Sequence, residues 1–153
     1  MPHGMREILA RAFRDGEETH ERGSAAVEFV FLSFLLMVPV LYFVITVAQI
    51  QAAGFAAAGA SDQAAKVAAA SADDTAAGRA VEQAVSLALS DQGLPRSAAT
   101  VRMECLPSDC QAPGTAVTVQ VDVTVPLPFT PPGVGLNAAH LSSSGTQIVG
   151  RFR

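Results

Sequence analysis

The sequence predicts an α+β fold built on one long N-terminal helix, half membrane-spanning and half soluble, with a second helix and a small antiparallel sheet. Three observations carry this. Residues 29–48 form a run of 20 residues without a charge. Residues 49–70 continue without proline and are rich in Ala, the best helix former. Val117, Val119, Val121, Val123 and Val125 alternate with Thr118, Gln120, Asp122 and Thr124, the period of a half-buried strand.

The chain has 153 residues, room for one small domain and a membrane segment. Its formal net charge of -4 offers no basic surface to nucleic acid. Of 10 basic residues, only Lys66 is Lys; with the abundance of Ala and Gly, this usage fits a GC-rich bacterial genome.

The first segment, residues 1–23, is polar and of mixed charge, and reads as a flexible cytoplasmic leader with at most a short helix over 6–14. Arg6, Arg11, Arg14 and Arg22 precede the apolar run, and the first basic residue after it is Lys66. By the positive-inside rule the N-terminus stays in the cytoplasm and the C-terminal two-thirds lie outside. The span itself is residues 24–48. At about 1.5 Å per residue its uncharged run reaches roughly 30 Å, the thickness of a bilayer's hydrocarbon core. Pro39 interrupts it and should kink it. Glu28 sits one residue before the run, where an ionised side chain needs a partner or a task.

Residues 49–72 read as the soluble continuation of that helix. Ala52, Ala56 and Ala60 share a face, as do Ala53 and Ala57. This small-residue spacing permits close packing, either on a neighbouring helix or on the chain's own domain. Gly54 and Gly59 leave room for a bend. The exported α+β domain is residues 73–153. Ser71 to Thr75 breaks the first helix and caps a second over 76–91, where Val81, Ala84, Val85, Ala88 and Leu89 recur at helical spacing. Gly93 and Pro95 stop it. One strand is expected over 100–105 and a second over 117–125, turned near Pro107 and Gly114. Pro126, Pro128, Pro131 and Pro132 end the second strand. A third is expected within 141–152.

Cys105 and Cys110 bracket four residues, and on an oxidising side of the membrane they are expected to form a disulfide. His3, His20 and His140 are scattered, so no metal site is expected. Gly133-Val134-Gly135-Leu136-Asn137-Ala138 matches a relaxed dinucleotide-binding pattern but follows a Pro-rich loop rather than a strand. No cofactor and no enzymatic centre is implied.

Arg22-Gly23-Ser24-Ala25-Ala26-Val27-Glu28-Phe29, followed by an apolar run containing Pro39, resembles the processing site of type IV pilin-like proteins. It is most similar to the TadE-like minor pilins, or pseudopilins, of the tight-adherence (Flp) pilus system. The likeness covers residues 20–70, roughly, and departs from the family's major pilins in having Phe29 where those carry Tyr. The resemblance implies a pilin-like fold and cleavage between Gly23 and Ser24 by a membrane prepilin peptidase. A glycine before the scissile bond lets the backbone extend into a narrow site. It further implies that Glu28, then the fifth residue of the mature chain, meets the free α-amino group of a neighbouring subunit. The implied partners are other pilin or pseudopilin subunits, the inner-membrane platform of the pilus machine and the lipid bilayer. Two other readings stay open: a membrane-anchored exported binding domain, and a secreted protein whose signal peptide is cut after the small residues near Gln51-Ala52-Ala53-Gly54.

Overall fold

The computed structural model describes residues 4–107, 109–130 and 135–151, and of residues 4–23 the backbone only. The chain divides into two compact units, Met1–Phe43 and Val44–Arg153.

Helix α1 runs over Gly4–Ala70. The backbone before residue 24 is helical from Gly4, a longer helix than the one expected over 6–14. Arg, Glu, Leu and Ala, all good helix formers, dominate this stretch, and no proline follows Pro2 until Pro39. Pro39 lies within α1 with helical residues on both sides, as do Gly54 and Gly59. Ser71 closes the helix, its N–H donating to the Ala68 carbonyl at 3.1 Å and its Oγ to the Val67 carbonyl at 2.7 Å.

Helix α2, Asp74–Asp91, starts two residues before the expected 76 and ends at the expected 91. Asp73 is its N-cap, with Oδ1 accepting from the Ala76 N–H at 2.8 Å, which satisfies one of the orphan donors of the first turn. Ala77, Val81, Val85 and Leu89 form its buried stripe. At the far end Gly93 takes φ +70°, and the Leu94 N–H reaches back to the Leu89 carbonyl at 2.9 Å. This is the left-handed C-terminal stop that a residue without Cβ makes cheaply. A 3-10 turn over Arg96–Ala98 leads into the sheet.

Three antiparallel strands follow, β1 (Ala99–Leu106), β2 (Ala116–Pro126) and β3 (Asn137–Ile148), in spatial order β1-β2-β3. Strand β3 begins four residues before the expected 141–152 span and ends four before its close, which corrects that expectation. Asn137 to His140 contains no β-branched residue, so propensity alone does not mark it as strand. It pairs because β2 is long enough to offer partners: Val125 lies opposite Ala139 and Thr124 opposite His140.

The core lies within the second unit. All five alternating valines of β2 are at most 1% exposed. They meet buried Ala53, Ala56, Ala57, Ala60, Ala64 and Ala68 of α1 and the buried stripe of α2 in one hydrophobic cluster. Alanine on the helix admits the sheet closely, and β3 admits it further. Its inward positions 139, 141, 143, 145 and 147 include Ser143 and Gly145. A Cβ at Gly145 would stand 2.5 Å from the Ser61 carbonyl oxygen and 2.8 Å from the Asp62 Cα. Beside this contact the Ser61 Oγ, buried with its residue, lies 3.2 Å from the Ser143 Oγ.

Gly145→Ala must push strand backbone off helix backbone, and is expected to cost about 1–3 kcal/mol. Gly59→Ala, in a helical position with nothing within 4 Å of the added atom, is expected to gain about 0.5–1 kcal/mol instead. Chemical denaturation of the detergent-solubilised full chain should rank the midpoints G59A, unsubstituted chain, G145A, in descending order.

Candidate functional site: an exposed apolar helix with an acidic edge

Gly23, Ser24, Glu28, Phe29 and Pro39 all fall on α1. Every described side chain from Ser24 to Val44 is exposed. In a water-soluble protein so much outward Phe, Leu and Val would be an aggregation hazard. The segment is long and apolar enough to cross a membrane, and none of its most apolar window is buried within the chain. The Ser33 Oγ donates to the Phe29 carbonyl one turn back at 2.8 Å.

Glu28 stands exposed at the polar edge of this band, with Ser24 one turn before it. The ion pairs among the described residues lie elsewhere, Lys66–Asp62 at 2.6 Å and Arg96–Glu82 at 2.6 Å, both in the second unit. The backbone around Gly23 and Ser24 is helical. A protease that takes its substrate extended must therefore unwind α1 at this point, and Gly23 is the residue whose helical state is least favoured.

The alanine stripe of the soluble half resolves differently. Ala53, Ala56, Ala57 and Ala60 are at most 2% exposed, in the one cluster they share with the chain's own sheet and α2. Of the two uses this spacing allows, packing on the chain's own domain accounts for these four, while the apolar band of residues 24–44 is left open.

The second unit carries two further features. Cys105 and Cys110 are disulfide-bonded, with Cα atoms 5.1 Å apart, at the end of β1. The turn they close continues through Asp109, whose Oδ1 accepts from the Gln111 N–H at 2.9 Å, and through Gly114 at φ +89°. The outer face of the sheet is polar and bonded to itself: the Thr118 and Thr146 hydroxyls are 2.9 Å apart, and the Gln120 Nε2 donates to both Asp122 and the Ser142 Oγ at 3.1 Å. Hydrogen bonds from Ser142 and Gln120, helped by the charge of Arg102, hold the Asp122 carboxyl below its ordinary value.

The relaxed glycine pattern at residues 133–138 has no phosphate-binding context. Its first two residues, Gly133 and Val134, lie outside the described residues, and Asn137 opens a strand rather than a helix. Among the described residues no three His, Cys, Asp or Glu side chains are grouped to hold a metal ion.

No protein-family profile, curated protein or solved structure matches this chain.

Arg96 ties the start of the sheet to α2. Its Nε and Nη2 donate to the two Glu82 carboxylate oxygens at 2.6 and 2.8 Å, and its Nη1 to the Ala99 carbonyl. The hydrogen bond from Arg96 holds the Glu82 carboxyl below its ordinary 4.5, against a smaller opposing effect of desolvation. A depressed folded-state value means stability that is present above 4.5 and lost as pH falls through the folded value. The pair is largely exposed, so the loss should be under about 1 kcal/mol. Glu82→Gln should flatten the stability profile below pH 4.5 and leave its shape near neutrality unchanged. Joint replacement of Cys105 and Cys110 by Ala should cost about 2 kcal/mol on loop-closure entropy for so short a ring, read as a lowered denaturation midpoint.

Proposed function

We propose that the chain is a single-pass subunit of a pilus or pseudopilus assembly of the tight-adherence type, made with a cytoplasmic N-terminus and processed after Gly23. The observation that carries this reading is the pairing of Gly23-Ser24 with Glu28, one helical turn on, at the edge of an apolar helix that the chain itself leaves wholly uncovered. A plain anchor has no use for an acid there. A subunit that packs against copies of itself in a low-dielectric bundle does. Cleavage creates an α-amino group at Ser24, and a neighbour's Glu28 carboxylate is its natural counter-charge. Such a pair offsets the cost of burying both ions and specifies one axial register among helices whose other side chains are interchangeable hydrophobes. Phe29 begins the hydrophobic contact directly after it.

The disulfide supports placement of the second unit on the oxidising side of the membrane. The four arginines before the span support the same orientation. The secreted alternative is weakened by the core. A cut within residues 53–60 would sever the helix that supplies Ala53, Ala56, Ala57 and Ala60 to the sheet. The anchored-domain alternative keeps the same topology but lacks the cut and makes the exported part a binding domain unrelated to pili. The partners of the proposed subunit are a prepilin peptidase, sister subunits and the inner-membrane platform of the machine.

N-terminal sequencing of the protein extracted from its native membrane tests the cut. A mature chain beginning at Ser24 is expected, and Gly23→Leu should leave it full-length. An intact leader in the unsubstituted protein sinks the proposal in favour of an anchored domain. Glu28→Ala should insert and be cleaved as usual, yet be strongly depleted from sheared filaments relative to the membrane fraction. Normal incorporation of that variant would remove the assigned role.

A further inference from the structure

The sheet has two ends, and they differ in chemistry. Val119 pairs with Gly145, which faces Ser61 of α1. Farther along β2, Thr124, Val125 and Pro126 border a groove with Gln49 and Ala52 of α1. Strand β2 therefore runs antiparallel to α1, and it ends beside the point where the helix passes from its aliphatic and Phe-rich run into Gln49. The disulfide, next to the Cys105–Val117 pair, marks the opposite end.

At the Gln49 end two large apolar side chains, Phe129 and Leu136, stand exposed beyond the buried Val123 and Val125. From Val123 to Ala139 there are 17 residues and no charge. The Leu127 N–H donates to the Leu136 carbonyl at 3.1 Å, closing the neck of the β2–β3 connection. The Thr130 Oγ1 donates to the Leu127 carbonyl at 2.9 Å, forming a turn on which Phe129 stands. Phe129 is 84% exposed and sits at φ +62°, a left-handed conformation that costs a bulky residue energy. Leu136 is 53% exposed on the other side of the neck. The adjoining groove, 540 Å³, is lined by Leu94, Pro95, Val125, Leu127 and their neighbours, with no charged residue among them. A single exposed Leu needs no explanation. A strained and outward-pointing Phe beside an uncharged groove, level with the end of a membrane span, does.

We propose that this end of the domain rests on the bilayer, with Phe129 and Leu136 inserted at the boundary of headgroups and acyl chains. The proposal builds on the reading that residues 29–48 cross the membrane. Gln49 and Ala52 lie only about 1.5–6 Å of helix rise beyond Ala48, so a surface at the end of the span meets the groove directly. Insertion of a small apolar patch into the interface follows the logic of interfacial anchors. The patch has no basic residue, so its partner is a lipid surface recognised by apolarity, and anionic headgroups are not required. A domain held at two places, by its helix and by this patch, has a restricted tilt over the membrane.

The chain contains no Trp, so one substitution supplies one fluorophore. Full-length protein carrying Phe129→Trp, or Leu136→Trp as an independent reporter, is reconstituted in phosphatidylcholine nanodiscs. The lipids are brominated either at shallow or at deep acyl positions. Val38→Trp reports the span, and Ser144→Trp the outer face of the sheet. The proposal expects both loop reporters to lose emission to shallow bromines more than to deep ones, Val38→Trp to respond most to deep ones, and Ser144→Trp to neither. Loop reporters no more quenched than Ser144→Trp, with Val38→Trp quenched, would overturn the contact while the span stands. An unquenched Val38→Trp overturns the span and the contact with it. Loop reporters shielded from aqueous acrylamide but blind to brominated lipid would overturn the membrane contact in favour of a second copy of the chain.

Discussion

The approach of β3 to the backbone of α1 at Gly145 and Ser61 sets the spacing on which the folded unit depends. With a glycine on the strand and alanines on the helix, the two elements meet almost backbone to backbone. The valines of β2 then fill the remaining depth, and α2 closes the layer with Val81, Val85 and Leu89. Dispersion and hydrophobic burial both favour this arrangement because close packing leaves few voids. A larger residue on either surface would lift the sheet and loosen every contact behind it.

This spacing also separates the two halves of α1 by the medium each needs. Between Ser24 and Val44 the helix turns large apolar side chains outward all round, which suits hydrocarbon. Past that point its buried face is alanine and its exposed face carries Gln51, Asp62, Gln63 and Lys66, which suits water on one side and a sheet on the other. One continuous helix thus couples a folded domain to a membrane-compatible rod. The acid at the start of the rod and the strained Phe129 after β2 are places where local preference is set aside. Such departures from local rules are where function is most often found.

Much of this was legible in the chain itself. The valine alternation of β2, the capping Asp73, the Gly93 stop and the Cys105–Cys110 pairing are all local patterns, and local patterns survive without a tertiary context. The start of β3 at Asn137 was not legible, because it is decided by the length of its partner strand. The helicity of residues 4–23 was obscured by their mixed charge, which is as common in coil as in helix. Whether the alanine stripe faced a neighbour or its own sheet could not be read from its spacing. That depends on a glycine more than eighty positions away. The Gln49 groove draws on three distant segments and has no sequence signature of its own.

The slightness of the alanine face has a consequence for biogenesis. Synthesis makes α1 first and the strand that covers its middle last, so the face waits uncovered while more than seventy residues are added. A stripe of leucines left open for that interval would invite mispairing and chaperone capture. A stripe of methyl groups is nearly inert towards strangers, and becomes adhesive only when a surface shaped to reach it arrives.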